Sequence, residues 1–588
     1  MTECNLLKRR LFSLFGAAVF TAVILSCAST PDKVVGGNVT SEYEAEPEEK
    51  TAIQISNPDN KRNKNYTYFS RIDQSIMTEV EIGSPSSLRK AASSLRKIDT
   101  SDDESCKVLL AVEANIMQMV WPQERVDWES PSVNTETPYL GAIKSAKNGI
   151  YDVSTGNVDF LAILLPSLVI LKVNDVRPFY HDSEKALLKC ISMRNNSVLA
   201  NYLLGQLYYK ASEKNKALQY FKNAQKDAPD CFQTVYSYAE CLYQTGNLSE
   251  AKNQTEFLNS RYPLNTEALK LSSKISYDSG NYDYAEECIS RVLQQQPNDL
   301  DAVLFRARIL IQKKDFIHAA SLLDVYSRQD SSSKRYLLLR AQVQYDWSKN
   351  VTAAVSTIEN ALKSYPGDTE VLLFAAKLCS QTGISVAGKN VEDFANSVLE
   401  KNPSDVNALK YAVEGLIIKK KWTEAYDMSL SLLSKNSSRQ NVFNHIKICL
   451  ALKKYDEAWN LIQPLYRNNS ADEEVVQNYI RIMVESGKNQ QAMSLINQLM
   501  PSASSKQKSY FYYLRSFLQS QEETCLSDLR SSLIANPRNS DSLFRLYEIY
   551  YGKRDYRKAQ YYLKQVVALN PNDAELKSLN EKLSSLIK

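Results

Sequence analysis

The chain carries few side chains of the kinds that perform catalysis or hold metal ions. Its three histidines, His181, His318 and His445, lie far apart in the sequence, and no HExxH motif is present. There is also no phosphate-binding GxxxxGK(S/T) loop, no dinucleotide-binding GxGxxG turn and no GxSxG nucleophile elbow. The sequence therefore predicts a protein that is not an enzyme, with no catalytic residue, no metal site and no cofactor.

Ten cysteines are present, of which Cys4 and Cys27 belong to the N-terminal segment. The remaining eight are an even number, which is compatible with disulfides in an oxidising compartment. No CxxC pair occurs, and only Cys231 and Cys241 are close in sequence. Free buried thiols and one or two bridges are therefore both open at this stage.

The N-terminus has the pattern of a secretory signal. Basic residues from Lys8 to Arg10 precede an apolar run, which is followed by Ser26, Cys27 and Ala28. The run is about 15 residues long, below the roughly 20 that span a bilayer as a helix. Residues 24–27 resemble a bacterial lipobox. This resemblance implies a signal peptide over 1–26 and lipidation of Cys27, with palmitate among the chains added.

Two alternatives to the lipid anchor remain, namely ordinary signal cleavage to a soluble protein and an uncleaved anchor.

Residues 27–83 are predicted to be a disordered tether after the lipidated cysteine, because acidic and polar stretches bury little apolar surface. Ala28 stands where an aspartate retains some lipoproteins in the inner membrane. The outer membrane, facing the periplasm or the surface, is therefore the favoured location.

A 34-residue period organises most of the remaining chain. Alanine recurs at that spacing at Ala217, Ala251, Ala285 and Ala319, and prolines follow twelve residues after the first three, at Pro229, Pro263 and Pro297. The alanine lets two antiparallel helices approach closely, and proline stops the second helix. Together with Leu204-Gly205, Tyr208 and Phe221, this pattern resembles the tetratricopeptide repeat.

The resemblance implies an all-α, right-handed α-solenoid of about eleven helix pairs over 198–571. Later units are weaker, with an insertion at 383–390 and Cys525 where alanine is expected. Residues 572–588 are predicted to form a C-terminal capping helix, which covers the open core of a solenoid. Residues 84–195 are predicted to be an N-terminal helical region with helices over 106–120, 140–148, 158–171 and 183–191, including a degenerate repeat around Ala186.

In tetratricopeptide proteins the first helix of each unit lines a concave groove with positions two, five, nine, twelve and thirteen. Position twelve is tyrosine in four of the first five units. The predicted partner-binding residues are Tyr202, Gln206, Tyr209, Tyr236, Glu240, Tyr243, Lys270, Lys274, Tyr277, Arg308, Gln342 and Tyr345. Tyrosine combines rigid apolar area with a hydroxyl, which suits a binding surface. Packing between neighbouring helices is the alternative role for these tyrosines.

One binding mode of the family is not predicted. Repeats that clamp a C-terminal carboxylate carry lysine at position five and asparagine at position nine, where this chain has Tyr202 and Gln206. Lys270 and Lys274 lie one helical turn apart and are predicted either to meet an acidic group or to form a solvated face.

Composition supports a binding function without naming the partner. Lys and Arg total 71 against 67 Asp and Glu, so a nucleic-acid partner is not predicted. We expect a non-enzymatic scaffold or assembly factor of the bacterial cell envelope, which binds a protein or peptide in the concave groove and the membrane through its lipid. The alternative is a ligand-capture or transporter-accessory lipoprotein that binds a small molecule or glycan.

Overall fold

The computed structural model describes residues 68–98, 104–133, 136–153, 159–571 and 573–587. Within these ranges the chain forms helices joined by turns, and the β-type pairing found there is one isolated bridge between Val386 and Lys389. The chain divides after Tyr326 into two compact units. We call residues 68–326 the N-terminal unit and residues 327–587 the C-terminal unit.

The described part of the N-terminal unit begins with six helices that precede the repeats. They are α1 (Gln74–Ile82), α2 (Pro85–Leu95), α3 (Glu104–Val120), α4 (Pro138–Lys147), α5 (Phe160–Leu164) and α6 (Tyr180–Met193). Four antiparallel helix pairs follow as repeats 1 to 4. They are α7 (Val198–Lys210) with α8 (Lys214–Asp227), α9 (Phe232–Gln244) with α10 (Leu248–Arg261), α11 (Thr266–Asp278) with α12 (Tyr282–Gln295), and α13 (Leu300–Gln312) with α14 (Phe316–Ser327).

The C-terminal unit contains seven further pairs, repeats 5 to 11, and a final helix. The pairs are α15 (Lys334–Asp346) with α16 (Val351–Ser364), α17 (Thr369–Thr382) with α18 (Val391–Leu399), α19 (Val406–Ile418) with α20 (Trp422–Lys435), α21 (Arg439–Ala451) with α22 (Tyr455–Asn468), α23 (Glu473–Glu485) with α24 (Asn489–Leu499), α25 (Ser505–Arg515) with α26 (Glu522–Ala535), and α27 (Ser540–Gly552) with α28 (Tyr556–Leu569). The final helix is α29 (Ala574–Ile587), which packs on α28. The eleven helix pairs confirm the predicted fold class of stacked helix pairs.

Local chemistry explains why each pair forms. We call the first helix of a pair helix A and the second helix B, and we count positions from the first residue of helix A. A polar side chain before helix A commonly caps it, as Ser197 does by accepting from the backbone N–H of Ala200. The repeat alanines Ala217, Ala251, Ala285 and Ala319 are fully buried. A Cβ on Gly205 would lie 2.6 Å from the Phe221 ring, so the two helices of repeat 1 need glycine there.

The turn between helices A and B places one residue in the left-handed region. Glycine occupies this position in repeats 2, 3, 6 and 9, as at Gly246 with φ of 81°. Lysine, arginine or serine occupies it in repeats 1, 4, 5, 7, 8 and 11, as at Lys314 and Lys453. In repeat 5 this turn is one residue longer, and Ala354 rather than Ala353 is consequently the fully buried alanine.

The six N-terminal helices share one hydrophobic core with repeats 1 to 3. Trp121, directly after α3, is fully buried, and its indole N–H donates to the carbonyl of Gly83 at 3.0 Å. Its ring lies 4.9 Å from that of Tyr202 in α7. The Arg194 guanidinium is 2.7 Å from the Glu81 carboxylate. The N-terminal helices are thus part of the same folded body as the first repeats.

Two expectations for the N-terminal part are wrong in detail. The tether was expected to reach residue 83, but α1 lies within it, because Ile72, Ile76 and Val80 recur at helical spacing and are buried. The expected helix over 158–171 ends at Leu164 and continues as a 3-10 segment containing Pro166, whose ring cannot follow within an α-helix. The predicted signal peptide, Cys27 and the tether as far as residue 67 lie outside the described residues.

One further N-terminal expectation fails, and one helix was not predicted. Ala186 is only half-buried, whereas Leu187 beside it is fully buried, so Ala186 does not mark the closest approach of a degenerate repeat. The helix α2 was also missed, because its serines hide an apolar face that includes Leu88 and Leu95.

The eight cysteines from Cys106 to Cys525 are buried free thiols, including the neighbours Cys231 and Cys241. Free buried thiols, one of the two readings, are confirmed. Burial raises the pKa of the Cys190 thiol to about 12 and that of Cys241 to about 11, which leaves both unreactive.

One contact in the C-terminal unit joins residues that are distant in sequence. The Lys420 ammonium, in the turn of repeat 7, lies 2.5 Å from the Glu575 carboxylate in α29. Both side chains are solvent-accessible.

No helix among the described residues combines the length and the apolar character needed to cross a bilayer.

Candidate functional site

The tyrosines at position twelve of repeats 1 to 3 each contact the next repeat. The Tyr243 hydroxyl donates to Asp278 at 2.6 Å. The Tyr277 hydroxyl accepts from Arg308 Nε at 3.0 Å, and the same guanidinium lies 4.8 Å from the centre of the Tyr277 ring. These half-buried tyrosines therefore hold adjacent helices A together, as the packing alternative requires.

Tyr209 follows the same pattern with Glu240 of repeat 2. Burial raises the pKa of Tyr209, and the nearby Glu240 carboxylate, to which the hydroxyl donates, raises it further. Burial also raises the pKa of Glu240, against the opposing effects of Lys274 and of the Tyr209 hydrogen bond. Tyr236 stacks on Phe232 with ring centres 5.5 Å apart. These contacts show a polar network inside the stack.

Tyr202 does not lie on an exposed face. Its side chain is 6% exposed, because Trp121 covers it on one side and Phe221 packs 6.0 Å away. Its hydroxyl is bonded to Gln206 Nε2 at 3.1 Å, and the same amide group donates to Ser237. The segment after α3 therefore covers position five of repeat 1, and this part of the predicted groove is closed.

The remaining predicted residues are placed as follows. Lys270 is paired with Asp299 at 2.5 Å, which satisfies its charge, while Lys274 is exposed. Gln342 and Tyr345 belong to repeat 5 of the C-terminal unit, where both are half-buried. The acidic group predicted to meet the two lysines is, at Lys270, the carboxylate of Asp299 in the same chain.

A second set of helix-A residues, in the C-terminal unit, was missed by the sequence analysis. Position nine is Glu414 in repeat 7, Lys447 in repeat 8, Arg481 in repeat 9 and Glu548 in repeat 11, and all four are half-buried. Extending the position-nine comparison beyond repeat 5 would have found them. Strongly shifted pKa values at such a set are typical of functional sites.

Lys447 is the least compensated member of this set. Burial, together with the neighbouring Arg481 charge, lowers the pKa of Lys447 to about 8. Among the described residues, no carboxylate lies within ion-pair distance of its ammonium group. Arg481, by contrast, has Glu485 at 2.9 Å. Lys447 and Arg481 are therefore neighbouring cations, and Glu485 pairs with Arg481.

The acidic members of the set are also held away from water. Burial raises the pKa of Glu548 to about 8, although Arg545 opposes the shift, and one of its oxygens has no hydrogen-bond partner. Burial raises the pKa of Asp541, at position two of the same helix, to about 6. Glu414 is better satisfied, since the Ser380 hydroxyl donates to it at 2.6 Å.

Comparison with known proteins agrees with this geometry. Residues 202–252 and 276–343 each match a family model described as tetratricopeptide repeat. With the helix pairs, caps and buried alanines described above, these matches show that the chain contains tetratricopeptide repeats. Repeats of this class support a protein-binding scaffold. No curated protein matches the chain.

Several solved structures resemble parts of the chain at low identity. The structure from a functional characterisation of Pseudomonas aeruginosa PilF has 19% identity and a TM-score of 0.31, covering 37% of this chain and 97% of its own. YrrB, a tetratricopeptide protein with an unusual peptide-binding site, has 17% identity and a TM-score of 0.29, covering 33% and 99%. The APC/C heterotetramer Cut9–Hcn1 has 12% identity and a TM-score of 0.35, covering 71% and 96%. Because these scores are below 0.5, the class assignment depends on the family matches and the helix pairs.

Proposed function

We propose that this protein is a non-enzymatic scaffold that binds an acidic peptide segment of a protein partner on the helix-A face of repeats 8 and 9. The observation that carries the proposal is Lys447, a half-buried ammonium beside Arg481 with no carboxylate partner among the described residues. A carboxylate from a partner would supply the missing charge. Hydrogen bonds to charged groups contribute roughly 1.5–3 kcal/mol, more than neutral ones.

The tyrosines of repeats 1 to 3 are less suited to this role. Their hydroxyls and rings are already bonded to neighbouring repeats, so a partner would have to replace existing contacts. Position nine of repeats 8 and 9 offers charged groups that are already half-buried in the free protein. Such preorganised groups favour binding, because less of the interaction energy is lost on association.

A peptide-display library selected on the purified chain tests the proposal. Selected peptides should be enriched in Asp and Glu, and Lys447→Met should weaken their binding about tenfold or more. Lys377→Met is the matched control, since Lys377 is also a half-buried lysine at position nine but lies in repeat 6. Enrichment without acidic residues, or equal binding by both variants, would contradict the acidic-segment proposal.

We also propose that the scaffold is a lipoprotein of the bacterial cell envelope, with the outer membrane favoured. The support is the basic and apolar N-terminal segment that ends at Cys27. Cys27→Ser should release the protein from the membrane fraction and abolish incorporation of labelled palmitate. Membrane retention of the variant without label would argue against the anchor.

A second candidate function is capture of a glycan or small polar molecule. A depression of about 540 Å³ in the C-terminal unit is lined by Tyr466, Tyr479, Met483, Gln490, Gln491, Ser494, Leu495 and Gln498. Tyr466 and Tyr479 stack with ring centres 4.0 Å apart, and amide side chains surround them. A glycan array would test this function. Binding that is lost in Gln491→Ala but kept in Lys447→Met would favour it over peptide binding.

A further inference from the structure

Three side chains with metal-binding groups converge in repeat 8. His445 and Cys449 lie one turn apart on α21, and Glu457 lies near the start of α22. One ligand atom from each lies within 4.8 Å of the others. His445 is 1% exposed and Cys449 is fully buried, while the Glu457 side chain is 32% exposed. The cluster is therefore inside the repeat, with its carboxylate at the solvent side.

The groups around the cluster orient two of these ligands. Ser429 Oγ lies 2.6 Å from His445 Nδ1, and the Ser429 hydroxyl donates to the carbonyl of Tyr426 at 2.8 Å. The Tyr426 hydroxyl donates to Glu457 Oε2 at 2.8 Å. Bound metals commonly have this second shell, in which the free histidine nitrogen and the free carboxylate oxygen are both hydrogen-bonded.

The direction in which the Ser429 hydroxyl points decides the tautomer of His445. Because the Ser429 hydroxyl hydrogen goes to a carbonyl, Ser429 Oγ accepts from Nδ1–H of His445. The Nε2 lone pair then faces Glu457 Oε1 at 3.0 Å, so two acceptors confront each other. In this arrangement a proton on Nε2 or a metal ion between the two atoms relieves the repulsion, whereas a Ser429 hydroxyl that donates to Nδ1 would leave Nε2–H to donate to Glu457.

We propose that His445 Nε2, Cys449 Sγ and Glu457 Oε1 bind one Zn²⁺ ion, with water as the fourth ligand. Nitrogen, sulfur and oxygen ligands of this kind are those that Zn²⁺ takes in proteins. Bonds of about 2.1 Å at tetrahedral angles separate ligand atoms by about 3.4 Å, so small side-chain rotations close the observed cluster. On binding, the thiol hydrogen of Cys449 leaves to solvent as a proton and the sulfur coordinates as thiolate.

The repeat pattern provides a matched comparison. His445, Cys449 and Glu457 occupy positions seven, eleven and nineteen. Positions seven and nineteen also touch in repeat 2, where the Tyr238 hydroxyl donates to Glu250 at 2.6 Å. Repeat 6 has a buried cysteine at position eleven, Cys379, but alanine at position seven, Ala375. The fold thus brings positions seven and nineteen together in repeats 2 and 8, and of these two only the side chains of repeat 8 turn this contact into a metal-binding cluster.

The test is titration of the purified full-length chain with Zn²⁺ by calorimetry, and with Co²⁺ by absorption spectroscopy. We expect one ion per chain and a cobalt–thiolate charge-transfer band. Cys449→Ser should abolish that band and weaken Zn²⁺ binding at least tenfold, whereas Cys379→Ser should change neither. Ser429 contacts His445 but does not itself bind the ion, so Ser429→Ala should weaken Zn²⁺ binding 10–100-fold through the loss of this orienting hydrogen bond.

Thermal unfolding gives an independent measurement. Zn²⁺ should raise the melting temperature of the wild-type chain and of Cys379→Ser, because a ligand that binds only the folded state stabilises it. It should not raise that of Cys449→Ser, whose own folding is checked by circular dichroism. The absence of stoichiometric binding, or binding unaffected by Cys449→Ser, would overturn the proposal and assign the cation to a proton on His445.

Discussion

Helix A carries polar side chains at position twelve of repeats 1 to 3 and at position nine of repeats 8, 9 and 11, but the two regions satisfy these groups differently. In the first region each tyrosine at position twelve has a bonding partner in the next repeat, such as Asp278 for Tyr243. In the second region Lys447 has no carboxylate partner among the described residues, and one Glu548 oxygen has no hydrogen-bond partner. The first arrangement stabilises the stack, and the second leaves charged or ionisable groups without a full set of partners in the part of the chain that the structure describes.

The contrast shows that a residue type can be abundant in a chain without being available to bind a partner. The sequence contains 35 tyrosines, yet the tyrosines at position twelve of repeats 1 to 3 already contact side chains of the next repeat. Removing a residue from the first region should therefore reduce stability. Removing a charge from the second should leave stability unchanged or increase it, because a desolvated charge without a partner is unfavourable.

The largest expected effect is on Tyr202. Tyr202→Ala removes a ring that is packed between Trp121 and Phe221 and should reduce the free energy of unfolding of the N-terminal unit by about 3–5 kcal/mol. Hydrogen exchange of α3 and α7 amides measures this loss. Tyr202→Phe, which keeps the ring, should lose only about 1 kcal/mol. A small loss in the alanine variant would mean that Tyr202 is available to a partner after all.

A smaller effect of opposite sign is expected at Glu548. Burial raises the pKa of Glu548 to about 8, so the folded state keeps a proton that the unfolded state releases above about pH 4.3. Stability from this group is present below that pH and is lost as pH rises through about 8. Glu548→Gln should therefore stabilise the C-terminal unit at pH 9 by about 1 kcal/mol, after allowance for its partial exposure.

Denaturant unfolding of wild type and Glu548→Gln from pH 5 to pH 9 measures this difference. The two curves of midpoint against pH should diverge as pH increases. Parallel curves would show that Glu548 ionises normally and that the second region is as well satisfied as the first.

The smallest expected effect is on Tyr243. Tyr243→Phe removes the hydroxyl bond to Asp278 and should reduce the free energy of unfolding by about 0.5–1 kcal/mol, since the pair is partly exposed. Tyr345→Phe is the matched control at position twelve of repeat 5. Equal shifts in the denaturation midpoint of both variants would show that the Asp278 bond contributes nothing.

The repeat array could be predicted from sequence because it depends on local, periodic requirements. Small residues such as Gly205 and Ala217 are needed wherever two helices approach, and proline ends helix B, so the pattern recurs every 34 residues. The N-terminal helices lack such a period. Their positions depend on single contacts across the core, such as that of Trp121 with Gly83, which no spacing in the sequence announces.

The candidate sites were less predictable for a related reason. Tyr202 is covered by Trp121, which lies about 80 residues earlier in the chain. Lys447 is unpaired because its neighbours in the described part of the chain provide no carboxylate within ion-pair distance. His445, Cys449 and Glu457 have no metal-motif spacing along the sequence, since two adjacent helices bring them together. Comparing position nine over all eleven repeats would have found Lys447 and Arg481, whereas their state of charge required the structure.

The ion pair between Lys420 and Glu575 links two parts of the C-terminal unit that are distant in sequence. It joins the turn of repeat 7 to the last helix across 155 residues, and both side chains are accessible to water. An exposed pair of this kind contributes only about 0–1 kcal/mol and is weakened by salt. High ionic strength should therefore weaken this link between repeat 7 and α29 while leaving the helix pairs between them folded, because those pairs are held by buried apolar contacts.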